Sequence, residues 1–423
     1  MTLNQKQRHK LVRGQIVPPL KRKFFSAIWR FNQLRLTCYQ NIIRFVVHAL
    51  CEKYWLLDYL PSQRSAQPSV LLIRLDLVGD FVLWLDAAQS YKKLYPKHKI
   101  TLVVNHICVE LAQALPYWDE VIGINVSQLR SNDVYRLRVV SRLRRRNFTT
   151  TIQPTYSREW VGDLLVRATK SAQRIGYLGD LNNITEAQKQ LTDLWYTRLI
   201  HNPNSGQSRM ELNLNAHFVR ELGDASFLSR VPQLNPLIQL PVHLSFKEKY
   251  IVLAPGASWQ RRIWPAASFI ELIARLDDEF SLPIILCGSD SDRDLCAMLA
   301  TQSSQAKVIN LAGKTTLLEL IEVIRCAALL VSNESAPTHI AAATQTPSAC
   351  VVGGGHFGRF LPYLPEQPYV GPAPILSIHK MDCYGCKWRC IYDANPEQAV
   401  PCIGTVIPAD LYDHCYQILN RMP

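Results

Sequence analysis

The sequence predicts an α/β protein with two doubly wound parallel sheets in series, and three observations support this fold class. Apolar runs with the length of buried strands alternate with helical patterns along much of the 423 residues. This alternation begins at residue 69 and begins afresh at residue 249. A stretch rich in Pro and Leu, residues 225–247, separates the two series and is typical of a hinge. Strands that alternate with helices form a parallel sheet covered on both faces.

The first series predicts four strands and two helices. The strands are "SVLLIRL" (69–75), "KITLVVN" (99–105), "VIGI" (121–124) and "FTTTIQP" (148–154). One helix covers residues 82–96 and ends at a proline, which cannot continue a helix. The second helix is the basic run at residues 136–146.

The second series repeats this pattern. It begins with "KYIVLAPGAS" (249–258) and continues with a helix at 268–280, strands at 283–289 and 307–313, a helix at 316–327 and a strand at 329–332. We therefore predict a first Rossmann-like domain at residues 69–240 and a second at 241–423. A ligand in this architecture binds at the carboxyl ends of the strands, in the cleft between the domains.

Positive charge is concentrated at the start of the chain. The net charge is +13, and residues 1–64 carry twelve Lys and Arg residues but only two acidic residues. The rest of the chain holds three of the thirteen charges and has no recognisable nucleic-acid-binding module. We therefore expect no nucleic-acid partner.

Residues 1–68 are predicted to be a basic amphipathic helical extension and a linker. From Phe24 to Ala49 apolar residues recur at steps of three and four, which predicts one apolar stripe on a long helix. No apolar run reaches the roughly 18 to 20 residues that span a bilayer, and no cleavage site follows one, so we expect a cytoplasmic protein. The helix would either lie on the anionic inner face of the membrane or pack on the protein with solvated charges.

Polar residues stand at the carboxyl ends of several predicted strands. After the first strand, Gly79 permits a tight turn, and Asp80 is either a helix cap or a general base facing the cleft. In the second series, Ser258 and Arg262 lie in a loop whose small residues let a ligand approach the backbone. Asp290 and Asp292 follow the next strand, where a carboxylate would accept ribose hydroxyl groups.

The junction "SNESAPTHIAAA" (332–343) predicts a helix that begins at a phosphate-binding turn. It contains the candidate ligand-binding residues Glu334, Ser335, Ala336 and His339. A strand that runs directly into a helix leaves the first N–H groups of that helix unpaired, with the positive end of the helix dipole behind them. The plainer interpretation is that Ser335 or Thr338 only caps the helix.

Together these segments resemble the glycosyltransferase family 9 enzymes, the heptosyltransferases of lipopolysaccharide core assembly. The resemblance is carried by "VLLIRLDLVGDFVLWLDAAQSYKKLYP", "IVLAPGASWQRRIWPAASFIELIARL" and "NLAGKTTLLELIEVIRCAALLVSNESAPTHIAAATQTP" and covers about residues 69–365. It implies the GT-B fold, with the acceptor on the first Rossmann-like domain and the nucleotide sugar on the second. It also implies inverting transfer of a sugar, typically heptose from ADP-heptose, to a glycolipid or glycan acceptor without a catalytic metal.

The resemblance also implies roles for single residues. Asp80 matches the family's general base, and Arg262 matches a position, usually Lys, that reaches the diphosphate. Glu334 stands where the family usually has an Asp that contacts the sugar. Ser335 and Ala336 stand at the phosphate-binding turn, whose middle position is usually Gly. His339 matches a family histidine that either contacts the ligand or orients the loop.

The basic helix at 136–146 lies in the predicted acceptor domain. Its arginines would meet phosphates or acidic sugars of a lipid-linked acceptor, or they form a solvated helix face. These are Arg136, Arg138, Arg142, Arg144, Arg145 and Arg146.

Three classes of function fit the sequence: a glycosyltransferase, a nucleotide-sugar-binding protein without turnover, and a metal or redox protein that uses its cysteines. The first is the main prediction because of the resemblance. The second is an alternative because the sugar-binding loop departs from the family pattern.

The twelve cysteines are unevenly distributed. Cys108, Cys287 and Cys326 are expected in the core. Cys383, Cys386, Cys390 and Cys402 are instead clustered among Gly and Pro residues, with spacings that suit a tetrahedral site. We predict a structural zinc or iron ion in this cysteine-rich module, residues 381–402.

Overall fold

The structure, a computed structural model, describes residues 67–202, 210–303, 305–392 and 398–421. Among these residues it contains two six-stranded sheets in which every strand pairing is parallel. The predicted basic extension at residues 1–68 lies outside the described residues except for its last two, so it stays a prediction. Within the described part, no helix combines the length and the apolar character that crossing a bilayer requires.

The first sheet has the strand order β3-β2-β1-β4-β5-β6. Its strands are β1 (Ser69–Arg74), β2 (Lys99–Asn105), β3 (Glu120–Ile124), β4 (Thr150–Gln153), β5 (Gln173–Tyr177) and β6 (Arg198–Ile200). The accompanying helices are α1 (Val78–Ala88), α2 (Ser90–Leu94), α3 (Val109–Gln113), α4 (Val126–Ser131), α5 (Asp133–Arg144), α6 (Trp160–Thr169), α7 (Glu186–Asp193) and α8 (Glu211–Leu222). All six residues of β1 are buried because helices cover both faces of the sheet.

The second sheet has the order β12-β11-β10-β7-β8-β9. Its strands are β7 (Ile251–Ala254), β8 (Ile284–Leu286), β9 (Val308–Asn310), β10 (Leu329–Asn333), β11 (Ser348–Val352) and β12 (Ile375–Ile378). The helices are α9 (Ala266–Phe280), α10 (Arg293–Gln302), α11 (Leu317–Arg325), α12 (Ala336–Thr344), α13 (Pro401–Gly404) and α14 (Pro408–Leu419). Numbered within its own half, this is the same order as in the first sheet, that of a dinucleotide-binding fold.

The prediction of two doubly wound domains is confirmed, and several boundaries differ. The predicted helix at 82–96 begins earlier, at Val78, so Asp80 lies in its first turn. The basic helix begins at Asp133 because the side chain of Asn132 caps it. Strands β5, β6, β11 and β12 were not predicted; β5 and β6 are short and carry polar or charged residues.

The two domains meet along helices α1 and α12, which pack against each other. One apolar cluster runs through both domains and contains Phe81 and Trp84 from α1 together with Ile340 and Ala341 from α12. All described residues fall within one compact unit. The packing therefore brings the loop after β1 directly against the loop after β10.

Candidate active site

A cavity of about 550 Å³ lies where the loops after β1, β7 and β10 meet. In both sheets the strand order reverses between the first and fourth strands, and this switch point is where doubly wound sheets bind ligands. Nine of the residues predicted from sequence line the cavity: Gly79, Asp80, Ser258, Arg262, Asp292, Glu334, Ser335, Ala336 and His339.

Asp80 lines the cavity from the first domain, in the first turn of α1. The pKa of its carboxyl group is raised to about 7, first by removal of solvent by the surrounding protein and then by the negative charges of Asp76 and Glu211. The positive charges of Arg74 and Arg359 oppose this shift. A carboxylate with a pKa near neutrality is suited to accept a proton in a reaction at physiological pH.

A buried ion network surrounds Asp80, and sequence reasoning missed it. Arg74 is fully buried, with Nε 2.6 Å from a carboxylate oxygen of Asp76 and Nη2 3.2 Å from one of Glu211. Arg359, from the second domain, lies 3.1 Å from the other oxygen of Glu211. A buried arginine at the end of an apolar strand was a visible signal for Arg74. No feature of the sequence pointed to Glu211 or Arg359, since both are distant from Arg74 in the chain.

Glu334 presents to the cavity a carboxylate that lacks hydrogen-bond partners among the described residues. Its residue surface is 3% exposed, and neither carboxylate oxygen has a hydrogen-bond partner among the described residues. Burial raises the pKa of this group to about 7, against the opposing charge of Arg262. Buried polar atoms are normally hydrogen-bonded, so these oxygens are suited to hydroxyl groups of a ligand.

Arg262 extends from the loop after β7 towards the same place. Its Nη2 donates to the backbone carbonyl of Glu334 at 2.6 Å and lies 3.8 Å from the Glu334 carboxylate. Its Nε is buried without a partner among the described residues. The guanidinium therefore keeps an unused donor for an anionic group at the cavity wall.

The start of helix α12 has no side-chain cap. Ser335 is the N-cap residue, but its hydroxyl donates to the carbonyl of Asn333 at 3.2 Å instead of accepting a bond from the helix. The hydroxyl of Thr338 likewise donates to the Asn333 carbonyl, at 3.1 Å. The plainer interpretation, a capped helix, is therefore not observed. The open end of the helix is a suitable site for an anion.

His339 is a neutral residue of the interface between the domains. It is 6% exposed, and its Nδ1 lies 2.6 Å from the hydroxyl of Tyr363. Burial lowers the pKa of the imidazole to about 3, so the ring carries no charge at neutral pH. Its ring also lies against Gly79, where an added Cβ atom would stand 2.9 Å from Cδ2 of the histidine.

Asp290 does not line the cavity. It is exposed and pairs with Arg293 at 2.6 Å. Asp292 faces the cavity instead, and its carboxylate accepts a hydrogen bond from the backbone N–H of Ser289 at 2.7 Å. The loop turns back after β8, so the acid two residues later is the one directed inwards.

The four clustered cysteines lie near one another. Cys402 is 7% exposed, and its sulfur accepts a bond from the backbone N–H of Gly354 at 3.4 Å. Burial raises the pKa of Cys402, and nearby Cys383, Cys386 and Cys390 raise it further. Within the described residues, no group of three or more His, Cys, Asp or Glu side chains is arranged to hold a metal ion.

The expectation for the scattered cysteines is correct for two of three. Cys108 and Cys287 are buried as predicted, but Cys326 is exposed. It stands at the C-cap of α11, where the helix has already left the core.

Comparison with known proteins now identifies the family. A model described as glycosyltransferase family 9 (heptosyltransferase) matches residues 136–373, more than half of the chain. The chain belongs to this family. The matched range of the family 9 glycosyltransferase contains Arg262, Glu334 and His339 but begins after Asp80.

Named relatives of this family 9 glycosyltransferase are identical to it at about a quarter of the aligned residues. Lipopolysaccharide heptosyltransferase 3 of Escherichia coli is 26% identical over 284 residues, which cover 65% of this chain and 79% of the relative. Lipooligosaccharide heptosyltransferase 2 of Campylobacter jejuni is 22% identical over 328 residues, which cover 76% and 93%.

Solved structures match the fold of this family 9 glycosyltransferase. The E. coli ADP-heptose lps heptosyltransferase II has a TM-score of 0.61 at 18% identity and covers 84% of this chain and 99% of its own. The E. coli heptosyltransferase WaaC with ADP-2-deoxy-2-fluoro heptose has a TM-score of 0.55 at 16% identity and covers 83% and 99%. These matches confirm the predicted GT-B architecture.

Proposed function

We propose that this family 9 glycosyltransferase moves heptose from ADP-heptose to a hydroxyl group of a lipopolysaccharide-type acceptor. The observation that carries the proposal is the shared cavity, which is lined by Asp80 of one domain and by Arg262 and Glu334 of the other. The named relatives, which are heptosyltransferases, support the choice of heptose.

The second domain would bind the donor. Arg262 and the backbone N–H groups of Ser335 and Ala336 would hold the diphosphate at the open end of α12. The carboxylate of Glu334 would accept hydrogen bonds from sugar hydroxyl groups. Negative charge grows on the diphosphate as it leaves, so Arg262 and these amides would stabilise the transition state without a metal ion.

The first domain would activate the acceptor. Asp80 would take the proton of the acceptor hydroxyl while its oxygen attacks the anomeric carbon of the sugar. The new C–O bond forms as the bond to the diphosphate breaks, and ADP leaves with the electron pair. A single displacement from the face opposite the leaving group inverts the anomeric carbon.

The acceptor is proposed to be a lipid-linked glycan at the cytoplasmic face of the inner membrane. The basic run at residues 136–146 supplies positive charge in the acceptor domain, although some of its arginines already have partners. Arg136 pairs with Asp133 and lies over Trp160, and Arg146, just after the helix, pairs with Glu120. The basic extension at residues 1–68 would add contact with the anionic membrane surface.

A structural metal site is proposed for Cys383, Cys386, Cys390 and Cys402. Four thiolates around one point suit zinc or iron, and the three other cysteines already lie close enough to Cys402 to raise its pKa. Four protein ligands leave no open coordination position, so the ion would stabilise the fold of the segment.

An ADP-release assay tests the proposed function. The protein is incubated with ADP-heptose, with and without a lipopolysaccharide core that lacks the transferred heptose, and ADP is measured together with the mass of the glycolipid. We expect acceptor-dependent ADP release and a mass increase of one heptose. Binding of ADP-heptose without any release would instead indicate the alternative, a nucleotide-sugar-binding protein.

A further inference from the structure

The cysteine-rich segment reaches the candidate donor site with the side chain of Trp388. The guanidinium carbon of Arg262 lies over the indole of Trp388, 4.7 Å from its ring centroid. We infer that Trp388 is a positioning residue that holds Arg262 for the diphosphate of the donor, so that donor binding depends on the cysteine-rich segment. This inference rests on the proposed function.

Two aromatic neighbours, His356 and Trp259, hold the indole of Trp388 in place. Its indole N–H donates to Nδ1 of His356 at 3.1 Å. The ring of Trp259 meets it edge-on, with ring centroids 6.0 Å apart and planes inclined at 78°. A stacked guanidinium takes its orientation from the ring beneath it, so a fixed indole gives a fixed arginine.

Close contact with the loop after β11 also determines the position of Trp388. An added Cβ atom on Gly355 would stand 2.2 Å from Cδ2 of the indole, so only glycine leaves room for the ring. The backbone of Trp388 has a φ of 62°, a left-handed conformation that is unusual for an aromatic residue. The surroundings therefore hold Trp388 in a conformation that it would rarely adopt alone.

The cysteine-rich segment is joined to the same loop by backbone hydrogen bonds. The N–H of Gly385 donates to the carbonyl of Gly354 at 2.7 Å, and the N–H of Lys387 donates to the carbonyl of Gly355 at 2.9 Å. Trp388 lies between Cys386 and Cys390 in the chain. The sulfur of Cys402 accepts a hydrogen bond from the backbone N–H of Gly354 in the same loop. Any change that rearranges these cysteines would therefore move the indole.

Arg262 has an alternative partner once the indole is removed. Its Nη2 is 3.8 Å from the Glu334 carboxylate, which lacks hydrogen-bond partners among the described residues. A guanidinium without the stacked ring would turn onto this carboxylate and form a shorter ion pair. Arg262 would then no longer bind the diphosphate, and the Glu334 carboxylate would no longer accept hydrogen bonds from the sugar.

Calorimetric titration of Trp388→Leu with ADP and with adenosine tests the inference. We expect ADP affinity to fall about 3- to 30-fold, the range of a lost cation–π contact, while adenosine affinity stays unchanged. Trp388→Phe keeps an aromatic face, so its ADP affinity should fall less than that of Trp388→Leu. Trp195→Leu is the matched control, since Trp195 stacks on Arg167 away from the cavity, and it should bind ADP as the wild type does.

Two further variants separate positioning from general damage. Trp388→Leu combined with Arg262→Ala should bind ADP no more weakly than Arg262→Ala alone, because both act through one guanidinium. Cys386→Ser combined with Cys390→Ser should reproduce the ADP-selective loss, with thermal unfolding recorded for each variant. His356→Leu, which removes only the indole anchor, serves if Trp388→Leu does not fold, and it should show a smaller ADP-selective loss.

The outcomes distinguish this inference from the proposed function. Equal losses of ADP and adenosine affinity, or additive losses with Arg262→Ala, would overturn the positioning role but leave the proposed function intact. Normal ADP affinity in both Trp388→Leu and His356→Leu would also overturn the positioning role and leave the proposed function intact. A wild-type protein that binds neither ADP nor ADP-heptose would reject both.

Discussion

Gly79 and His339 lie in contact across the two domains, because a Cβ atom at position 79 would stand 2.9 Å from Cδ2 of the histidine. Gly79 precedes the candidate base, Asp80, and His339 lies in the first helical turns after the candidate phosphate-binding residues. The two halves of the candidate active site therefore fit together only if position 79 has no side chain.

Gly79→Ala is expected to separate the two domains slightly at this contact. The buried His339 has little space to move, since it is held by Tyr363. We predict at least a roughly tenfold loss of kcat/KM, because misplacement of reacting groups by about 1 Å is costly, with a smaller change in ADP affinity. Gly404→Ala is the control, since its added methyl would meet only ordinary contacts, the nearest at 3.5 Å. Equal activity of Gly79→Ala and Gly404→Ala would contradict the prediction.

Asp80→Asn should remove the general base while the cavity keeps its shape. We expect transfer to slow by about 10²- to 10⁴-fold, the typical contribution of a positioned base, and ADP-heptose affinity to change little. Asp290→Asn should leave both properties unchanged, because Asp290 is exposed and outside the cavity lining. A correctly folded Asp80→Asn variant with near wild-type turnover would show that the base is elsewhere.

Two charge variants should move the pH profile of kcat/KM in opposite directions. The base must be ionised, so transfer should fall as the pH drops through the Asp80 pKa of about 7. Asp76→Asn removes a negative charge that raises this pKa, so the acid limb should move to lower pH. Arg359→Gln removes a positive charge that lowers it, so the limb should move to higher pH. The other charges facing Asp80, Arg74 and Glu211, are unchanged in both variants; shifts of the same sign would refute this account.

Arg262→Ala should weaken binding of ADP by roughly 1.5 to 3 kcal/mol, the range for a hydrogen bond to a charged group. Arg262→Lys should recover part of this loss, since it restores the charge without the planar fork. Isothermal titration with ADP measures both, and Arg293→Ala, an exposed arginine paired with Asp290, is the control. Unchanged ADP affinity in Arg262→Ala would reject its assignment to the diphosphate.

Metal analysis tests the cysteine site. Protein purified under reducing conditions should hold about one zinc or iron ion per chain, and Cys386→Ser should lose the ion and unfold at a lower temperature. Cys326→Ser is the control, because this cysteine is exposed and distant from the others in sequence. Much less than one ion per chain, together with normal stability of Cys386→Ser, would rule out a metal site.

The alternation of apolar runs predicted eight of the twelve strands in the two sheets. Strands such as β1 and β10 are buried on both faces and read as continuous apolar runs, which a sequence displays directly. Strands β5 and β6 were missed because polar residues at their exposed ends hide the apolar pattern. Strand β11 is buried along its whole length and was still missed, so burial alone does not make a strand visible in the sequence.

The candidate site could be predicted only where its residues lie in the loop or first helical turn after a strand. Asp80, Arg262 and Glu334 do, and all three line the cavity. The ion network could not be predicted, since Glu211 and Arg359 are 148 residues apart and meet only through domain packing. The role of Trp388 was hidden for the same reason, because its contact with Arg262 depends on how the cysteine-rich segment folds back.

The buried carboxyl groups of the cavity make the donor-free protein less stable at neutral pH than at mildly acidic pH. Glu334 and Asp80 have ordinary pKa values of 4.5 and 3.8, and both rise to about 7 in the folded chain. The folded chain therefore holds these two protons more tightly than the unfolded chain, so the free energy of unfolding falls as the pH rises from about 4 to about 7. Sugar hydroxyl groups that satisfy Glu334 would reverse part of this loss. Bound donor would therefore raise the free energy of unfolding most near neutral pH, where the unbound carboxyl groups stabilise the fold least.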